Sequence, residues 1–150
     1  MSIRRKPRQR GAAMVEMAVV LPLLMLLVFG IMEAGWLFAQ LTETRNAARE
    51  GARLAVVDFG TASEIALETC NRATLSSDGA VVSIVRTGDV SDPINNPDAK
   101  VQVNIVNSYD SLTGFLDQFF GSSTLDAEVT MRVERPLVLL NADGGAACPP

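Results

Sequence analysis

The chain has 150 residues, 48% of them hydrophobic, and a formal charge of −4, enough for one domain plus an appendage and too little for two independent cores. It contains no histidine, so the commonest general base and the commonest transition-metal ligand are both missing, which argues against an enzyme. Its five N-terminal cations, Arg4, Arg5, Lys6, Arg8 and Arg10, all precede Gly11, whereas all 17 acids lie at or beyond Glu16; without residues 1–11 the net charge is −9, a poor match to nucleic-acid phosphates.

The first element predicted is a membrane span. Met17 to Met32 carries no charge, and only Pro22 and Gly30 interrupt its strong helix formers. With its flanks, Ala12–Val15 and Ala34–Ala39, it extends to a helix over about 12–38, ~40 Å long at ~1.5 Å per residue and able to cross a bilayer with some tilt. Trp36 falls where an interfacial aromatic belongs, and Glu33 is expected to bound the span as an interfacial acid. Two rivals are a buried helix of a soluble protein and a cleaved secretory signal. The cations count against the first. Against the second, "GIMEAGW" lacks small residues at the spacing a signal peptidase needs. The positive-inside bias places residues 1–11 in the cytoplasm and 41–150 across the membrane.

The stretch from "RRKPRQRGAAMVEMAVVLPLLMLLVFGIMEAGW" to "AAREGARLAVV" resembles the TadE-like pseudopilins of tight-adherence (Flp-type) pilus systems. The matching features are a basic leader ending in small residues, V-E-x-A, an L-P-L-L core, F-G-I-x-E, and the helix A-A-R-E-G-A-R-x-A. The resemblance covers roughly residues 10–57. It implies a type IV prepilin leader, residues 1–11, cut by a membrane aspartyl peptidase between Gly11 and Ala12. Glu16 then becomes residue five of the mature chain. Met17 stands where Flp-type pilins often have Tyr, which directs the likeness to a minor subunit rather than the major pilin.

An acid at the mouth of an apolar span requires a physical reason. A carboxylate costs ~2.5 kcal/mol or more at the bilayer centre and less near an interface. Cleavage at Gly11 would create an α-amine on Ala12, one helical turn before Glu16, and in an assembly the amine of one subunit could pair with the Glu16 of its neighbour. The alternative is a Glu16 solvated among headgroups. Pro22 cannot bond back to the Ala18 carbonyl, so a bend is expected there, either as flexibility for subunit packing or simply as a proline tolerated by neighbouring helices.

Beyond the span, Leu37, Leu41, Thr44, Ala48, Gly51, Ala52 and Ala55 recur at helical spacing and predict a helical extension over 39–57 with a small-sided face that something packs against closely. Arg45, Arg49 and Arg53 form a second stripe, a solvated face or one meeting headgroups or an acidic partner. After a break at Gly60, residues 61–77 predict a second helix with Ser63 as candidate N-cap. Strands are predicted over 80–86, 100–107 and 126–134. The last two alternate, with Val101, Val103 and Ile105 on one face, and Ala127, Val129, Met131 and Val133 likewise, as in an antiparallel sheet covered on one side by a helix. "TGDVSDPINNPDA" is a loop by composition, and residues 111–121 are predicted to form a short amphipathic helix on the sheet rim. Cys70 and Cys148, both beyond the membrane, read as one disulfide in an oxidising compartment or else as two free thiols. No internal repeat, phosphate-binding loop, zinc spacing or nucleophile elbow occurs, so neither metal nor cofactor is expected.

The expected fold is therefore α+β. A single N-terminal transmembrane helix (12–38) continues into an exported helix (39–57) packed on a small, about three-stranded antiparallel sheet in a pilin-like head (58–150) with a flexible C-terminal tail. The expected function is non-enzymatic, as a minor pseudopilin in assembly or initiation of an Flp-type pilus, anchored in the bacterial inner membrane. The resemblance implies as partners a prepilin peptidase, other minor pseudopilins, the major pilin and the inner-membrane assembly platform. The rival is a membrane-anchored exported binding or enzymatic domain unrelated to pili.

Overall fold

The computed structural model describes residues 9–73, 79–114 and 123–149. Its elements run α1 (Gln9–Val56), α2 (Ala62–Asn71), β1 (Val81–Thr87), β2 (Lys100–Ser108), β3 (Thr124–Arg132) and β4 (Gly144–Ala147). The strands form one antiparallel sheet in the order β3-β2-β1-β4. This is the expected α+β arrangement of a long apolar helix with a small sheet, with four strands in place of about three.

α1 is a continuous 48-residue helix with Pro22 inside it. The chain leaves it at Asp58, which adopts a left-handed backbone (φ 58°), and re-enters helix at Thr61. Thr61, not Ser63, is the N-cap of α2: its hydroxyl accepts from the Glu64 amide while the Glu64 carboxylate accepts from the Thr61 amide. The reciprocal pair satisfies two donors that a helix start leaves open, which Ser63, already inside the first turn, cannot do. α2 ends at Asn71, so the helix is shorter than the 61–77 expected.

Both helices lie on one face of the sheet, α1 over β2 and β3, α2 over β1 and β4. The sheet contributes Val82, Ile84, Val101, Val103 and Ile105, all fully buried. α1 answers with Ala47, Ala48, Ala52 and Ala55, and α2 with Ile65 and Ala66. The small side chains let α1 sit close to both neighbours. At Gly51 the approach is tightest: a Cβ there would strike the Thr69 side chain and lie 3.3 Å from Val103 Cγ1. β3 runs in the expected phase, with Leu125 and Ala127 buried and Val129 and Met131 half-buried, while Asp126, Glu128 and Thr130 face outward. Val133 lies beyond the strand end but remains buried, its amide donating to the Ala99 carbonyl.

The fourth strand comes from the C-terminal tail. Residues Gly144–Ala147 pair with Val81–Ile84, and Cys148 donates its amide to the Ala80 carbonyl at 2.7 Å. Gly145 is required here, since a Cβ would run into the Val82 carbonyl. The helix expected at 111–121 falls largely on residues 115–122, outside the described residues.

Candidate functional site: the anchor helix and its clasp

From Gly11 to Met32 every residue of α1 is exposed, including Leu23, Leu26, Leu27, Phe29 and Ile31. This portion is about 33 Å long at ~1.5 Å per residue, close to the ~30 Å of a bilayer's hydrocarbon. Its most apolar 18-residue window has a mean hydropathy of 2.5, and none of that window is buried by the rest of the molecule. An uncovered apolar surface of this extent has to meet lipid or a partner. α1 is therefore a candidate membrane span by length, composition and exposure together.

The residues singled out in the sequence occupy two separate regions. Gly11, Ala12, Glu16 and Pro22 all lie on the bare part of α1, with Glu16 exposed one turn on from Ala12. Gly11 is helical, and an added Cβ would meet nothing within 4 Å. Cys70 and Cys148 lie in the head, where they are bridged across a Cα–Cα distance of 5.3 Å and both buried. The bridge fastens the strand-forming tail to α2. The structure does not bring the two groups together.

Between them lies a site that the sequence reading missed. Glu33, expected as an interfacial acid, is 1% exposed and buried against the head. Its carboxylate accepts hydrogen bonds from the Tyr109 hydroxyl at 2.5 Å and the Leu112 amide at 3.1 Å on Oε1, and from the Thr113 hydroxyl at 2.9 Å on Oε2, with the Thr113 backbone amide a further donor. One and two turns further along the same helix face, Trp36 Nε1 and Gln40 Nε2 both donate to the Asp110 carbonyl, at 3.0 and 2.7 Å. Glu33, Trp36 and Gln40 thus clasp the loop that follows β2, and this loop seats the head against the helix where the bare segment ends. A carboxylate stripped of water is tolerated when hydrogen bonds replace its hydration. No sequence pattern links Glu33 to Tyr109, 76 residues away; only a lone acid amid an apolar run marked it as unusual.

A second clasp closes the far end of α1. Asp58 accepts from the amides of Val138, Leu139 and Leu140, at 2.9, 2.9 and 3.0 Å. Burial works against its charge, but donation by Leu140, Val138 and Leu139 together outweighs it and holds the carboxyl below its ordinary range. The left-handed backbone at Asp58, tolerable for Asp more than for most side chains, aims the carboxylate at this segment. Among the described residues no group of three His, Cys, Asp or Glu is placed to hold a metal.

The molecule is thus defined by one long helix, bare and apolar at its N-terminal end and built into a compact α+β head at the other. Residues 11–53 match the family model described as TadE-like protein. The chain therefore carries a TadE-like N-terminal segment, spanning the bare helix, the helix side of the clasp (Glu33, Trp36 and Gln40) and most of the head-packed part of α1, a likeness that suggests a Tad pilus-associated protein. Comparison with curated proteins and with solved structures yields no match in either case.

Proposed function

We propose that this chain is a non-enzymatic, membrane-anchored minor pseudopilin that takes part in assembling or initiating a tight-adherence Flp-type pilus after a prepilin peptidase cuts between Gly11 and Ala12. The observation that carries the reading is α1 itself, whose bare, bilayer-length segment coincides with the start of the TadE-like match and continues without interruption into the head. In this reading residues 1–11 lie in the cytoplasm and the head lies beyond the inner membrane, in an oxidising compartment that keeps Cys70 and Cys148 bridged. The new α-amine of Ala12 pairs with Glu16 of a neighbouring subunit, and other minor pseudopilins, the major pilin and the assembly platform are the partners.

N-terminal sequencing of the protein purified from membranes should begin at Ala12, and another mature start would overturn the reading. Two variants separate cleavage from assembly. Gly11→Leu should leave the chain uncut. Glu16→Gln should be cut yet fail to support piliation, and normal pili with Glu16→Gln would reduce this carboxylate to an ordinary interfacial acid.

A further inference from the structure

The sheet ends in β4 on one side and in β3 on the other, and the two edges differ. β4 is four residues long and adjoins Cys148, which ties it to α2. β3 runs for nine residues, contains no proline or lysine, and pairs with β2 without a bulge. Short strands, proline, lysine and bulges are the usual means of blunting a sheet edge. β3 uses none of them.

The ladder shows which of its backbone groups are open. Just beyond the two ends of the β2–β3 register, the Tyr109 amide donates to the Ser123 carbonyl and the Val133 amide to the Ala99 carbonyl. Ser123 and Val133 thus turn their backbone groups toward β2, as does every second residue between them. Thr124, Asp126, Glu128, Thr130 and Arg132 turn theirs outward, since the direction alternates along a strand. Among the described residues nothing hydrogen-bonds to these outward groups. The side chains of the same residues are exposed on the sheet face away from the helices, and Asp126, Glu128 and Arg132 enter no ion pair among the described residues. On the helix side, Val129 and Met131 are only half-buried.

Two arguments exclude a second copy of this chain from the edge. Antiparallel pairing of β3 with itself requires a twofold axis normal to the sheet. That axis reverses α1, which lies across the sheet face, and would send the two bare segments in opposite directions, away from any common bilayer. Parallel self-pairing about an axis along the strand sets the outward residues of both copies level, whereas the parallel pattern needs them staggered.

We infer that the free edge of β3 receives an extended segment of a different protein, which adds a fifth strand to the sheet by main-chain hydrogen bonds. The segment runs antiparallel to β3. It carries cations opposite Asp126 and Glu128, an acid opposite Arg132, and apolar side chains that cover Val129 and Met131. The inference rests on the anchoring reading for the exclusion of a second copy, and adds to it the surface that meets a partner subunit.

The test uses the full chain in nanodiscs and a capped nonapeptide, Glu-Val-Thr-Ile-Lys-Val-Lys-Val-Thr, whose antiparallel register sets its lysines against Glu128 and Asp126 and its glutamate against Arg132. Site-resolved amide exchange is the readout. Without peptide, the amides of Asp126, Glu128 and Thr130 should exchange fast and those of Ala127, Val129 and Met131 slowly. Saturating peptide should slow the outward set at least tenfold. A peptide with lysine and glutamate interchanged should bind about tenfold more weakly, since opposed cross-strand charges attract and like charges repel. Thr130→Pro deletes one outward N–H, changes no charge and spares the β2 ladder, where an edge strand tolerates proline; it should prevent binding while Ala127 and Val129 stay protected. Outward amides already slow without peptide, as when residues 115–122 cover them, overturn the inference. So do outward amides unmoved by peptide, equal binding of the two peptides, or binding that survives Thr130→Pro. Failure of the chain to insert into nanodiscs would instead overturn the anchoring reading, and with it the exclusion of a second copy.

Discussion

Replacing Glu33 by alanine removes a buried acceptor but leaves its donors in place. The Tyr109 hydroxyl, 7% exposed as a residue, loses its carboxylate partner, as do the Leu112 amide and the Thr113 hydroxyl. A hydrogen bond to a charged group contributes ~1.5–3 kcal/mol, and a donor left unsatisfied in a buried site costs ~1–3 kcal/mol. Leu112, 49% exposed, and Thr113 can recruit water, so the loss concentrates on the buried Tyr109 hydroxyl. We therefore expect the loop after β2 to be destabilised by about 2 kcal/mol, which at ~1.4 kcal/mol per factor of ten is about a 30-fold rise in its opening equilibrium. Amide hydrogen exchange of Leu112 in detergent or nanodiscs measures this directly. Trp36, the chain's one tryptophan, supplies a second readout, since its indole bonds the same loop at Asp110 and its emission should shift as the loop loosens. Glu33→Gln, which keeps one accepting oxygen, should fall between wild type and alanine. Unchanged protection at Leu112 in Glu33→Ala would show that packing alone seats the head, and the clasp would lose its structural role.

Asp58→Ala should cost about 2 kcal/mol by freeing the amides of Val138, Leu139 and Leu140, measured by thermal unfolding; Asp58→Asn, which tolerates the left-handed backbone, should cost less. The folded-state carboxyls of Asp58 and Asp143, the latter held down chiefly by the Arg86 amide and then by its guanidinium, sit below their unfolded values. Their contribution is therefore fully present above the ordinary carboxylate range and disappears as pH falls through the lower folded values. Stability profiles should steepen below about pH 4, with Asp58→Asn flatter there than wild type. For the bridge between Cys70 and Cys148 the chain-entropy model gives ~4.5 kcal/mol at most. Reduction should lower the melting temperature and release the β4 amides to exchange, and two thiols alkylated without prior reduction would refute the pairing. Gly51→Ala should destabilise by about 1–3 kcal/mol through the clash with Thr69, and adding Thr69→Ala should recover much of the loss in a double-mutant cycle; additive effects would place the strain elsewhere.

Much of the scaffold followed from local pattern. An uncharged run of helix formers behind a block of cations, small residues recurring at helical spacing, and strands alternating with period two are signals carried within single elements. They set the long helix, its small-sided face and the phase of β2 and β3 before any contact was known. The TadE-like motifs are equally local, and their order could be recognised directly.

Tertiary structure decided what depends on residues far apart in the chain. Glu33 is indistinguishable in sequence from an acid at a membrane boundary, because its partners arrive from a loop more than 70 residues later. The tail "GGAA" has no strand propensity of its own; pairing with β1 and the adjoining Cys148 make it a strand. Asp58 ends a helix locally, yet its role comes from three amides some 80 residues on. Thr61 took the cap from Ser63 because a capping box needs Glu64 at the third helical position, a register that propensity alone does not resolve. Periodicity encodes which face of an element is apolar. Which distant group neutralises a buried charge or completes a sheet edge depends on how those faces meet.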